Sequence, residues 1–212
     1  MTLSRLLTLC LFTLLPLTSL ADDTTLSTLQ QRWAEINYQV PARQRAEAFE
    51  KLAAQASTAV QAEPGSAELR IWHGIILSTW AGAKGGLGAL GLVKDARREL
   101  ERALEINPGA LDGSAYTSLG SLYYQVPGWP VGFGDDEKAE QMLQQALMLN
   151  PDGIDPNYFY GDFLQRQHRY REAAGALEKA LAAPERAGRT VADQGRREEA
   201  RTLLASVQEK LD

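Results

Sequence analysis

The sequence predicts an all-α protein: an array of helical hairpins stacked as an α-solenoid, with widened inter-helix insertions. Three observations carry that expectation. One phrase recurs in register, in which Ala96, Leu100, Ala103, Leu104, Asn107 and Pro108 are matched by Ala139, Leu143, Ala146, Leu147, Asn150 and Pro151. Ala173, Leu177, Ala180, Leu181 and Pro184 follow the same spacing, with the proline one place early. Apolar residues elsewhere fall three and four apart, the period of a helix face. Ala and Leu are abundant and β-branched runs are scarce, which favours helix over strand. A unit that cannot bury its apolar face alone must stack on copies of itself, so the repeat decides the architecture.

The chain opens on an export signature. Arg5 is the only charge before Asp22, Leu6 to Leu20 is an apolar run, and Ser19-Leu20-Ala21 offers a small-x-small cleavage pattern. The run is short for a bilayer span and Pro16 interrupts it, so a cleaved signal peptide over residues 1–21 is expected rather than an anchor. Cys10, the only cysteine, lies inside it and far from the cleavage point, which argues against a lipid-modified terminus. The remaining 191 residues carry a charge of −6 and no thiol, so disulfides, zinc-thiolate sites and cysteine nucleophiles are excluded from the mature chain. Acidic and basic residues are interspersed, with no stripe that could track phosphates, which excludes nucleic acid as a partner. Export of a cysteine-free chain points to a bacterial periplasm, with no transmembrane span in the mature protein.

Residues 22–66 read as an N-terminal helical pair. Trp33, Ile36 and Tyr38 lead into Pro41, and Ala46 to Val60 form the second helix before Pro64. Three units follow over residues 67–108, 114–151 and 156–184. Their first helices are expected at Ala67–Trp80, Ser114–Gln125 and Pro156–Gln167, and their second at Lys94–Ile106, Asp136–Leu149 and Arg171–Ala182. Carboxylates at Asp95 and Asp135-Asp136-Glu137 suit helix N-termini, and Asn107-Pro108-Gly109 and Asn150-Pro151-Asp152-Gly153 suit helix ends. Gly74, Gly120 and Gly161 occupy one matching position, where a missing side chain lets two backbones approach. Residues 185–212 read as a capping helix whose stripe is Ala200, Leu203, Leu204, Val207 and Leu211, with Arg196, Arg197, Glu198 and Glu199 expected on a solvated face.

These intervals resemble the tetratricopeptide repeat (TPR). The third unit carries Gly161, Tyr170, Ala173, Leu177, Ala180 and Pro184; the second carries Leu119, Gly120, Tyr123, Ala139, Leu143, Ala146 and Pro151; the first carries Trp72, Gly74, Ala96, Leu100, Ala103 and Pro108. The second is interrupted by an insertion from Val126 to Gly134, the first by a glycine-rich one from Gly82 to Gly91. Repeats so widened, with Tyr123-Tyr124-Gln125-Val126-Pro127-Gly128-Trp129-Pro130 running to Gly134-Asp135-Asp136, are similar to the periplasmic TRAP-transporter-associated repeat proteins of the TatT component family. The resemblance implies a protein partner, a periplasmic solute-binding protein, and helices that surround a ligand-accommodating cavity. Many members are lipid-anchored, which this sequence does not support. A homo-oligomer is compatible with all of this.

No catalytic constellation emerges. Gly86-Leu87-Gly88-Ala89-Leu90-Gly91 matches G-x-G-x-x-G in letters, yet a helix precedes it and no β-α-β pattern surrounds it. His73 and His168 fall in different units, too far apart in sequence for a two-histidine metal site on one helix, so neither metal nor cofactor is expected. Gly120-Ser121 and Gly113-Ser114 lack the nucleophile-elbow pattern. The expectation is therefore a non-enzymatic scaffold binding a partner protein, with a small apolar-ligand binder as the alternative. The TPR concave face carries Ser78 and Thr79, then Thr117, Ser121, Tyr124 and Gln125, then Tyr158, Asp162, Gln165 and Arg166. Aromatic, amide and arginine side chains on one face suit recognition. Trp129 and Phe133, on a proline-stiffened insertion, are the second candidate contact.

Overall fold

The computed structural model describes residues 18–212, and among them nine α-helices and one short 3-10 turn succeed one another without a strand. Helix α1 (Thr18–Gln39) pairs with α2 (Ala42–Ala62), α3 (Ala67–Lys84) with α4 (Ala89–Ile106), α5 (Ser114–Gln125) with α6 (Asp136–Leu149), and α7 (Ile154–Arg166) with α8 (Tyr170–Ala182); α9 (Thr190–Gln208) follows alone. The expected export segment lies outside the described residues as far as residue 17. No helix among the described residues is long and apolar enough to cross a membrane.

The repeated phrase builds the hairpins by one contact used three times. A Cβ placed on Gly74, Gly120 or Gly161 would fall 2.7, 2.6 or 2.7 Å from Cγ of Leu100, Leu143 or Leu177. The same Cβ would lie 3.2 to 3.4 Å from the carbonyl oxygens of Ala96, Ala139 and Ala173. The helix backbones are thus as close as side chains permit, and Ala103, Ala146 and Ala180 are fully buried further along the same helices. Polar caps fix where helices start: the Ser66 hydroxyl accepts from Leu69 N at 3.2 Å, and Asp135 accepts from Lys138 N at 3.1 Å.

The two insertions differ from one another. The stretch from Gly82 to Gly91, expected as an insertion, is mostly helix: α3 runs on to Lys84 and α4 starts at Ala89. Glycine costs a helix only about 1 kcal/mol, and burial of Ala81 and Val93 outweighs that here. Lys84 also lies over the Trp80 ring at 5.2 Å, in the last turn of α3 where the helix dipole favours a cation. The stretch from Val126 to Gly134 is a true loop. Gly134 N donates to Pro127 O at 3.0 Å and Asp135 N to Tyr123 O at 2.8 Å, which closes the loop at its stem.

Successive hairpins place α1, α3, α5 and α7 side by side as an inner row, with α2, α4, α6 and α8 outside. Helix α9 packs on α8 and α7, as an end helix would, and also reaches back to α1. The solenoid closes on itself. One apolar core joins α1–α5 and takes in Ala192 of α9, and a second joins α5–α9.

Candidate ligand cavity inside the closed array

Closure turns the concave face into a cavity of about 1010 Å³, lined from all four inner helices and α9. Its α5 wall is one stripe, Ser114, Thr117, Ser118, Ser121 and Gln125, which fall three and four residues apart on one helix face. Ser78 and Thr79 of α3 stand beside it. Their hydroxyls donate to Ile75 O at 2.8 Å, and Thr79 accepts from Trp33 Nε1 at 3.0 Å, so this wall has few idle polar atoms.

The apolar part of the cavity is aromatic. Trp33 of α1 meets Trp72 of α3 edge to face at 5.8 Å and Tyr38 at 5.9 Å. Phe49 and Phe159 complete this surface from α2 and α7. Both tryptophans also belong to the first core, so their rings are held rigidly while one side of each faces the cavity.

The charged end lies where α7, α9 and the α8–α9 connection meet α1. Arg186 bonds Asp155 at 2.8 Å and Asp193 at 2.5 Å; Arg196 bonds Asp155 at 2.9 Å and Glu199 at 2.5 Å; the Tyr38 hydroxyl donates to Glu199 at 3.4 Å. Cations and anions alternate along this chain of contacts, and it ties α1 to α9. Burial works to raise the Asp155 carboxyl, but the Arg196 and Arg186 charges outweigh it and bring it down to about 2. Burial pushes the Tyr38 phenol up to about 12, with Glu199 adding to the rise and Arg196 opposing it. Arg196 itself is only 8% exposed, sandwiched against Tyr158 and Phe159 at 4.4 and 4.6 Å. The solvated face expected for it is therefore a buried ion-pair seam.

The residues anticipated for the groove divide into two groups. Ser78, Thr117, Ser121 and Gln125 come together on the cavity wall. Tyr124, Tyr158, Asp162, Gln165 and Arg166 do not line it. Tyr124 is buried in the second core, its hydroxyl donating to Asp162 at 2.7 Å under the Arg166 guanidinium, so these three fasten α5 to α7. Burial, then the Asp162 charge, drives the Tyr124 phenol well above its usual range. Tyr158, one turn before Asp162 on the same face of α7, is covered by Arg196 of α9. The register is the same in both units, since Gly120 and Gly161 make the same contact; α7 differs because its matching positions are taken up by Tyr124 of α5 and Arg196 of α9.

Trp129 and Phe133 also separate. Phe133 folds back onto Tyr123 edge to face at 5.7 Å, with the Arg97 guanidinium 4.6 Å from its ring. Trp129 stands 89% exposed at the loop tip. The residues that sequence reasoning passed over are Asp155, Arg186, Arg189 and the cavity-facing sides of Trp33 and Trp72. A signal existed in α9, because Ala192, Arg196, Glu199 and Leu203 share a helical stripe once charged residues are admitted to a buried face.

Fold and cavity together define the class: a closed TPR-like helical-repeat protein with a central chamber. No protein-family model and no curated protein matches the chain. Among solved structures, it is similar to a thermophilic TPR protein of Thermus thermophilus, at 23% identity and a TM-score of 0.54 over 87% of this chain and 93% of that one. Two crystal structures of MamA are 20% and 19% identical, with TM-scores of 0.45 and 0.44 over 79% and 88% of this chain and 91% and 92% of theirs. The Thermus likeness is one of fold, and it agrees with the repeat contacts: the architecture is an all-α, TPR-like solenoid.

Proposed function

We propose that this is a non-enzymatic binding protein, exported to the periplasm, that shelters a small molecule inside its closed array. The contact of α9 with α1 carries the reading, because it converts an open groove into an aromatic-walled chamber of about 1010 Å³. Pockets that enclose small ligands measure about 300–1,000 Å³, and this chamber is of that order, with an aromatic wall, a hydroxyl-bearing α5 face and a charged end. An open concave TPR surface suits an extended partner, whereas one ringed by the contact of α9 with α1 suits a more compact molecule. Native mass spectrometry of the purified protein checks this: a co-purified small molecule is expected, and Ser121→Trp, which fills the chamber from α5, should lose it. A native mass equal to the denatured mass in both proteins, with nothing bound to either, would remove the reading.

A second role is favoured by a separate observation. The tips of the α3–α4 and α5–α6 hairpins share one edge of the array, and there Leu87 and Trp129 are 86% and 89% exposed. Large apolar side chains held in water at neighbouring tips suit a protein partner. The resemblance to the TatT component family supplies the candidate, a TRAP-type solute-binding protein. Binding of a purified solute-binding protein from the same genome should weaken at least about tenfold when Leu87 and Trp129 are both replaced by Ser. Unchanged affinity would discard this edge as the docking surface.

A further inference from the structure

We infer that the chamber takes an amphipathic monocarboxylate, its carboxylate held by the Arg189 guanidinium and its apolar body lying against Trp72 and Trp33. The inference rests on the reading of the chamber as a ligand site and names the chemistry that site selects.

Arg189 is the anomaly of the charged end. Its neighbours Arg186 and Arg196 each hold two carboxylates in direct contact. Arg45, also on the wall, donates through Nε to Val40 O at 2.8 Å. Arg189 makes no ion pair among the described residues, and its Nε is buried without a hydrogen-bond partner. Its guanidinium lies 4.8 Å from the Trp72 ring, and both line the chamber. Burial, followed by the charge of Arg186, makes its protonated form harder to hold than an ordinary arginine's, a cost that Asp155 and Asp193 offset only at a distance.

A guanidinium left unpaired in a partly buried site is expensive, and a cation–π contact returns only part of the loss. An incoming carboxylate matches the planar fork with two parallel hydrogen bonds and supplies the missing charge. The number of charges is also set. Asp155 and Glu199 line the same end, so a dianionic head would face two fixed carboxylates. Arg186 and Arg196 beside them are already ion-paired, and only one guanidinium of these three, Arg189, is left to meet it. Beside the guanidinium the wall turns apolar at once, through Trp72 to Trp33, Ile75 and Phe49. A molecule with one carboxylate and a hydrocarbon or aromatic body satisfies both surfaces, and a neutral lipid-like molecule would leave Arg189 as unpaired as before.

Isothermal titration with octanoate, octan-1-ol and octyl phosphate tests this on the full mature protein, stripped of co-purified molecules. Wild type should bind octanoate at least about tenfold more tightly than octanol, the size of a charge-assisted hydrogen-bond pair. Arg189→Met should abolish that preference while still binding octanol, with its thermal midpoint and helical circular dichroism recorded to show that it folds. Arg189→Lys keeps the charge without the fork and should fall between the two. Equal binding of octanoate and octanol by wild type overturns the carboxylate, as does tighter binding of octyl phosphate. A preference retained in Arg189→Met overturns the assignment to this residue. If octanoate does not bind at all the inference fails, and the co-purified molecule then separates the two ideas: a neutral molecule in the chamber leaves the ligand site standing, whereas an empty chamber removes both.

Discussion

Two guanidiniums share the carboxylate of Asp155, and its acidity is the measurable consequence. Its folded value of about 2 lies below the 3.8 of an ordinary aspartate, so the contribution of the network is complete above about pH 4 and is lost as pH falls through 2. A shift of that size corresponds to about 2 kcal/mol. The stability difference between wild type and Asp155→Asn, from urea midpoints, should be near that figure at pH 6 and should shrink steadily from pH 4 to 2. A difference independent of pH would show that the carboxylate is not paired as described. The repeat makes a second residue-scale prediction. Ala146 is fully buried where the α5–α6 hairpin packs, so Ala146→Leu should overpack it and cost about 1–3 kcal/mol. A thermal midpoint unmoved by the extra carbons would sink that register. Ala146 was legible because small residues recur at its position in three units. Arg189 was not, because nothing in the local sequence distinguishes an unpaired arginine from the paired ones at 186 and 196.

Helices were legible to within a turn wherever a capping residue or a proline marks their ends. Helices α5 and α6 begin and end where Ser114, Gln125, Asp136 and Leu149 predict. The mistaken boundary is the start of α4, where glycines read as loop while burial of Val93 and the fully covered Ala96 keeps the chain helical. Glycine counts against a helix in isolation, but tertiary packing decides the balance. The element that matters most for the chamber is α9, and its seating on α1, besides the ion-pair chain, includes one close approach. A Cβ on Gly195 would fall 2.4 Å from the Tyr38 ring. Gly195→Ala should therefore push α1 away from α9, seen as faster amide hydrogen exchange along α1 with protection in the α5–α6 hairpin unchanged. Equal protection of α1 in both proteins would mean that the contact is not what holds this helix.

The closed array should also behave as a unit in a way an open one need not. Trp33, Trp72 and Trp80 lie in α1 and α3, so tryptophan fluorescence reports mainly on the N-terminal half, while circular dichroism reports on every helix. An open repeat stack is held by nearest-neighbour contacts alone, and its two ends are free to unfold separately. Here α9 belongs to both cores, through Ala192 in one and Ala200 and Val207 in the other. Fluorescence and dichroism midpoints should coincide in wild type and separate in Gly195→Ala, with the fluorescence transition at lower urea. Separate midpoints already in wild type would show that closure does not couple the halves. By itself the sequence determined the all-helical class, the three-unit register and the faces of α3 and α5 that look inward, because periodicity and the repeated small residues act within one helix or between adjacent ones. Only the tertiary structure decided that the array closes, that α9 and α1 become neighbours, and that Arg189 lies against Trp72 with no ion pair among the described residues. Small rotations between hairpins add up over the whole chain, and the contacts that end that sum join residues far apart in sequence, such as Tyr38 and Glu199.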